Sequence, residues 1–327
     1  MRKLHELYNE HGLLTKGRKI QIGDGSFTIP GYRQYKGGLK VNILAMGDVG
    51  GILALAMKLT GADIISGIGI CDINDKVVNR WEQELNQITM PTEPDSFPQV
   101  RIVDVKDLFD CDVFLFCASR GVPDISQKGI DVRMVQLDQN KEMIGSYARQ
   151  AVDCGFDGEF FVVSDPVDPL CKAAAENGID VARIQGFGLG VMNARAIYFA
   201  RHNEAFADYL TRGRVFGPHG EDLVVADNVY NYNEERSLKL TKLTTSANVR
   251  IRELGFKPFV APAVSSGALS ILENLRGHWH YSSACFGNAF LGMLNKRIDN
   301  DLLVEDLPLD ERLFHRIETA YRNLEEL

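Results

Sequence analysis

The chain has 327 residues, 45% hydrophobic and 24% charged, with 36 Lys and Arg against 44 Asp and Glu for a formal net charge of −8. That length exceeds one small core and calls for two domains, or one with a large appendage. The acidic balance, with no local run of Lys or Arg, argues against a nucleic-acid footprint. Six cysteines (Cys71, Cys111, Cys117, Cys154, Cys171 and Cys285) form no Cys-x-x-Cys pair. Several lie in apolar runs such as "CDVFLFCA", so they read as small buried hydrophobes in a reducing, cytoplasmic setting. The opening "MRKLHELYNEHGLL" lacks the apolar centre of a secretory signal, and the longest apolar stretch is interrupted by Lys58 and Asp63, which excludes a membrane span there.

In chain order, residues 1–39 are polar and turn-rich without a strong period and read as an N-terminal arm. From Val41 a rhythm begins. "VNILA" is a strand, "GGILALAMKL" a helix, "IISGIGICD" a strand ending on an acid, and "NDKVVNRWEQELNQI" an amphipathic helix. "VRIVD" and "CDVFLFCA" are further strands, "DVRMVQLDQNKEMIGSYARQAVDCG" is a long helix, and "GEFFVVSD" is another strand. Such alternation predicts an α/β Rossmann-type doubly wound parallel sheet over 40–167. "VARIQGFG" and the helix "NARAIYFARHNEAFADYL" extend the pattern; after residue 210 strand-like "RVFG" and "DLVVADNV" give way to helical pieces. This predicts an α+β substrate domain over 168–327, with the boundary near residue 167.

"VNILAMGDVGG" runs strand, glycine turn, helix, which lets a backbone approach a pyrophosphate at a helix N-terminus. The spacing is Ala45-x-Gly47-x-x-Gly50, with Ala45 where the full fingerprint has its first glycine. The next strand ends at Asp72, whose carboxylate suits ribose hydroxyls and repels an extra phosphate, so NAD is the expected cofactor. A purely structural strand–helix turn with a surface Asp is the alternative.

Five stretches follow one another in a recognisable order: "VNILAMGDVGG", "CASRGVP", "VVSDPVDPL", "GFGLGVMNAR" and "RVFGPHGEDLVVADNV". Together they resemble the lactate/malate dehydrogenase family, clearly over residues 41–225 and more faintly to the C-terminus. The resemblance implies hydride transfer between NAD and a 2-hydroxy or 2-oxo acid. It places cofactor contacts at Gly47, Asp48, Val49, Gly50, Asp72, Ala118 and Ser119. It makes Arg195 the guanidinium that clamps the substrate carboxylate, His219 the proton donor and acceptor, and Arg133 the cation that polarises the reacting carbonyl. These residue types suit the work: a guanidinium fork matches a carboxylate, an imidazole exchanges protons near neutral pH, and a second cation meets developing charge. The resemblance also implies a homodimer or homotetramer.

The departures are informative. The family's carboxylate three residues before the clamp, which holds the histidine's second nitrogen, is here Met192, and a thioether cannot hold an imidazolium. The family's Asn near substrate is here Asp165, a candidate for the missing carboxylate; Glu221 and Asp222 are weaker ones. The residue that selects the substrate side chain is Gln127 counting back from Arg133, or Asp124 counting forward from "GVP". Lys257 in "RELGFKPF" either binds an acidic substrate arm or is a solvated surface residue, and Arg120 either reaches cofactor phosphate or ends a strand. His278 and His280 have no carboxylate or Cys cluster beside them, so no metal is expected and they read as packing or interface. Two further readings remain: a cofactor-binding sensor or assembly protein with lost redox chemistry, favoured by Met192 and Ala45, and an NAD-dependent glycosidase.

Overall fold

The structure, a computed structural model, describes residues 1–12, 14–15, 18–120 and 132–327, with side chains over the same span except 132–136. The strands in chain order are β1 (Gln21–Ile22), β2 (Ser26–Pro30), β3 (Leu39–Leu44), β4 (Ile65–Cys71), β5 (Gln99–Ile102), β6 (Val113–Phe116), β7 (Glu159–Val162), β8 (Ile184–Gly186), β9 (Arg214–Phe216), β10 (Val224–Ala226), β11 (His280–Phe286), β12 (Ala289–Ile298) and β13 (Asp301–Glu305). The helices are α1 (Leu4–Glu10), α2 (Asp48–Thr60), α3 (Asp75–Asn86), α4 (Val132–Asp153), α5 (Val167–Glu176), α6 (Leu189–His202), α7 (Tyr209–Arg212), α8 (Glu234–Thr245), α9 (Ala247–Glu253), α10 (Ser270–Leu275) and α11 (Glu311–Glu326). A π-helical stretch, Pro262–Leu269, runs into α10.

Among the described residues, one 11-stranded sheet runs β1-β2-β13-β12-β11-β8-β7-β6-β3-β4-β5, and β9 and β10 form a separate antiparallel pair. From β8 to β5 all pairings are parallel. Strands buried on both faces by crossover helices carry near-continuous apolar runs, as "VFLF" and "EFFV" do here with every residue buried. One face packs on α2, α3 and α10 through Leu53, Met57 and Leu272, the other on α4 and α5 through Ile144, Ala148 and Leu170. Winding reverses between β3 and β6, so a crevice opens outside their C-terminal ends, where such sheets bind ligands.

This parallel half takes in β8, beyond the boundary expected near residue 167. At Gly186 it meets β11 antiparallel, paired with Ser283, and the sheet continues through β12 and β13. Residues of the N-terminal arm complete it: β2 pairs antiparallel with β13 along five residues. Phe27 and Ile29 alternate inward along "SFTIP" and pack with Leu7 and Tyr8 of α1 against Phe286 and Tyr321. A five-residue alternation that stops at Pro30 is too short to stand out among turn residues, which is why the arm looked aperiodic.

A fully buried ion pair crosses the seam between the two halves. Arg297 of β12 lies 2.7 Å from Glu159 of β7, both side chains wholly excluded from solvent. The guanidinium also donates to Gln185 of β8 (2.6 Å), Asn274 of α10 (2.9 Å) and the carbonyl of Arg33 in the arm (2.8 Å), while Tyr35 donates to Glu159 at 2.6 Å. Adjoining it, His280 is enclosed by Asn274 and Ser282, and burial pushes its imidazole down to about 3. Removing one member of such a pair strands a buried charge. Glu159→Ala is therefore expected to cost about 3–5 kcal/mol in urea unfolding, while the combined Glu159→Gln, Arg297→Met replacement recovers most of that loss.

Candidate active site

The glycine turn follows β3. Ala45 adopts φ 73°, a left-handed conformation that favours glycine, and its amide donates to the Cys71 carbonyl at 2.7 Å. Gly50 is required by contact: a Cβ there would stand 2.0 Å from the Ala45 carbonyl oxygen. Gly47 precedes the first turn of α2 with no capping side chain, and a Cβ there would meet nothing within 4 Å. Free helix-start N–H groups beside open space suit a pyrophosphate. Asp72 braces the turn, one oxygen accepting from the Met46 amide at 2.7 Å and the other from the Asn74 amide at 3.0 Å. A carboxylate has about four acceptor sites, so capacity remains for ribose hydroxyls. These residues fit a bound dinucleotide: Gly47, Val49 and Gly50 at the phosphates, Asp72 at the ribose.

Beyond β6, Ala118 and Ser119 line the same crevice, organised by a residue the sequence reading passed over. Asn140 of α4 is fully buried; its amide nitrogen donates to the Asp165 carbonyl (3.0 Å) and lies 3.4 Å from the Ser119 hydroxyl, and its oxygen accepts from the Arg120 amide (3.0 Å). The Ser164 hydroxyl donates to the Ala118 carbonyl at 2.7 Å. The loop after β6 and the loop after β7 are thus tied together at the cofactor's edge.

His219 sits in the turn between β9 and β10, where Gly217 at φ 85° reverses the chain. Its Nδ1 lies 3.3 Å from a carboxylate oxygen of Asp165, and the imidazole packs on Gly188, where a Cβ would come within 2.8 Å of the ring. Ser266 holds Gly188 in place, donating to its carbonyl (2.6 Å) and accepting from the Val191 amide (2.7 Å). His219, Asp165, Arg195, Met192 and Asp168 all line one cleft of about 870 Å³. Arg195 is partly buried, which pulls its guanidinium below the usual arginine range against the opposing pull of Asp165. It donates to the Met192 sulfur at 3.6 Å. Met192 therefore packs on Arg195.

Asp168 was not singled out from sequence. It is 3% exposed, and Oδ1 accepts a hydrogen bond from the Ser283 hydroxyl of β11. Burial pushes its carboxyl up to about 6, while Ser283 and His219 pull the other way. The only cue was its place three residues after Asp165 in "SDPVD", in the first turn of α5. Arg252 of α9 also lines the cleft and was likewise missed. Arg133 lies in the first turn of α4, but its side chain lies outside the described residues, as do Asp124 and Gln127.

Of the two readings of Lys257, the solvated surface residue describes its surroundings: the chain reverses at Gly255 (φ 86°) and carries the exposed Lys257 to Asp48, at 2.9 Å, beside the glycine turn. His278 pairs with Glu273 at 2.9 Å on the surface, and no group of metal-binding side chains occurs among the described residues. The raised carboxyl of Asp168 has a stability consequence. Folding favours its protonated form, so its contribution is full below the ordinary carboxylate range and is lost as pH rises through about 6. Asp168→Asn keeps an acceptor for Ser283 and is expected to raise unfolding stability by on the order of 3 kcal/mol at pH 7.5, and by little at pH 3, in denaturant titrations at the two pH values.

Comparison with known proteins agrees with this geometry. Residues 39–186 match the family model for the lactate/malate dehydrogenase NAD binding domain. An L-lactate dehydrogenase 2 from Staphylococcus aureus is 29% identical over 185 residues, 56% of this chain and 55% of that protein, so the match spans about half the length of these curated relatives. In fold, the chain is similar to a lactate dehydrogenase from a Medee basin deep-sea metagenome library (TM-score 0.72, 20% identity, 88% of this chain and 97% of that one). It is also similar to the malate dehydrogenase of Archaeoglobus fulgidus solved with NADH (TM-score 0.72, 16% identity, 88% and 97%). Over residues 39–186, then, the chain is similar to the NAD binding domain of the lactate/malate dehydrogenases, and NAD is the cofactor its glycine turn fits.

Proposed function

We propose that the protein is an NAD-dependent oxidoreductase that interconverts a 2-hydroxy acid and a 2-oxo acid. The observation that carries this reading is the convergence, in one cleft, of a partly buried guanidinium with no carboxylate hydrogen-bonded to it among the described residues (Arg195) and an imidazole held against a carboxylate (His219 beside Asp165). Arg195 binds the substrate carboxylate, since an anion there repays its desolvation. With Nδ1 facing Asp165, Nε2 of His219 is the nitrogen left to exchange the hydroxyl proton. NAD, when bound, supplies the redox chemistry. Arg133, at the start of α4, is the cation assigned to polarise the carbonyl, by resemblance. A cytoplasmic homodimer or homotetramer is part of the same reading.

Met192 supports a second reading, a protein that binds NAD and has lost efficient turnover, because the thioether contacts Arg195 and offers no charge to His219. One experiment separates the two. NADH fluorescence is followed on adding protein, then on adding 2-oxo acids with neutral, acidic and basic side chains. Binding with oxidation of NADH by one class supports the dehydrogenase; binding with no turnover across the panel withdraws it. Given turnover, His219→Gln should lower kcat by about 10²–10⁴-fold. Arg195→Leu should lower kcat/KM by the equivalent of about 2–5 kcal/mol, chiefly through KM.

A further inference from the structure

Four carboxylate side chains line the cleft with His219, and the two that flank the start of α5, Asp165 and Asp168, differ in environment. The Asp165 side chain is 67% exposed, so its charge is screened by solvent even though it lies 3.3 Å from Nδ1. Asp168 is 3% exposed and fixed at one end by the Ser283 hydroxyl, where a charge acts through a less polarisable medium. The position from which a carboxylate was expected to hold the imidazole is occupied by Met192, which is 4% exposed and turned onto Arg195. We infer that Asp168, seated by Ser283 at the junction of the two sheet halves, is the positioning residue that stabilises the protonated imidazole of His219, with Asp165 orienting the ring from the solvent side.

Four groups act on Asp168: Asp165 from the loop before α5, Cys171 from α5, Ser283 from β11 and His219 from the β9–β10 turn. Glu221, Asp222, Arg195 and Arg252 are the further charged groups that line the same cleft. Cys171 is buried and its thiol is pushed well up, so it stays neutral, and of the four His219 is the one that can carry positive charge. Asp168 itself changes charge near pH 6. Above that pH it supports the imidazolium formed when His219 takes a substrate proton; below it the support is withdrawn. Replacing a carboxylate at the Met192 position by one reached from α5 conserves the electrostatic function while changing its source.

This inference rests on the proposed role of His219, but its test does not need turnover. Histidine-labelled protein is titrated by NMR, with the His219 ring signals assigned by their loss in His219→Gln. In Asp168→Asn the His219 titration curve is expected to move to lower pH by at least half a unit, with those of His5 and His11 unmoved; Asp165→Asn should move it less. Ser283→Ala, which keeps the carboxylate and removes its donor, serves if the Asn variant does not fold, and should displace the response of the His219 ring to Asp168 ionisation to higher pH. A His219 curve that coincides with the parent's in the folded variant overturns the inference. Where turnover exists, Asp168→Asn should lower kcat by about tenfold or more with little change in KM, and its pH profile should lose the inflection near pH 6. Absence of turnover with a displaced His219 curve defeats the redox reading and leaves this pairing intact.

Discussion

The buried Arg297–Glu159 pair is the constraint on which the rest of the molecule depends. Among the described residues the parallel and antiparallel halves of the sheet meet at one backbone pairing, Ser283 with Gly186. Side chains must carry the remainder of that joint. Arg297 does so by reaching β7, β8, α10 and the N-terminal arm at once, so that every element it touches has one register relative to the others. A guanidinium with a rigid fork suits this better than an ammonium, because its donors leave in fixed directions. The cost is desolvation of two charges, offset only while all the partners are present.

The same seam builds the site. Gly186 has no side chain because Val167 and Cys171 of α5 press against it; a Cβ would come within 2.4 Å of Val167. That close approach brings the start of α5 to β11, and so brings Asp168 under the Ser283 hydroxyl. Gly188, two residues on, makes room for the His219 ring. Alternating contacts along a single short segment therefore position both the buried carboxylate and the imidazole. At the other end of the parallel sheet, Gly50 and Asp72 shape the turn after β3 for a dinucleotide. Asn140 links the two regions through the Asp165 carbonyl and Ser119. The glycine-turn side of the crevice and the His219–Asp165 pair are mechanically continuous.

Charge in the cleft is balanced in an unusual way. Among the described residues Arg195 has no carboxylate in hydrogen-bonding contact, while Asp165 lies 3.3 Å from His219. A cation without a hydrogen-bonded anion beside a paired imidazole is the asymmetry on which the proposed binding of an anionic substrate rests. At the glycine turn, Asp48 opens α2, where an acid opposes an incoming phosphate, and the exposed Lys257 pairs with it at 2.9 Å. Neither balance follows from spacing along the chain.

Much was legible before the structure. The strand–helix alternation from Val41 onward, the Ala45-x-Gly47-x-x-Gly50 turn and Asp72 at a strand end all followed from local pattern, because parallel-sheet units repeat with their own periodicity and special backbone turns demand special residues; the candidate role of Asp165 beside His219 came from the family resemblance. The arm did not follow: its inward alternation covers five residues and has meaning only against β13, which lies some 270 residues away in sequence. Asp168, Asn140 and Arg252 were equally silent, since a polar residue within a helix reads as solvated until neighbouring elements bury it or enclose a cleft beside it. The pairing of Lys257 with Asp48 was silent for the related reason that it depends on a chain reversal at Gly255. The sequence by itself thus determined the fold class, the cofactor turn and which residue types were available for chemistry. Only the tertiary structure decided which carboxylates face the imidazole, because that depends on desolvation and on contacts between segments that the order of residues leaves open.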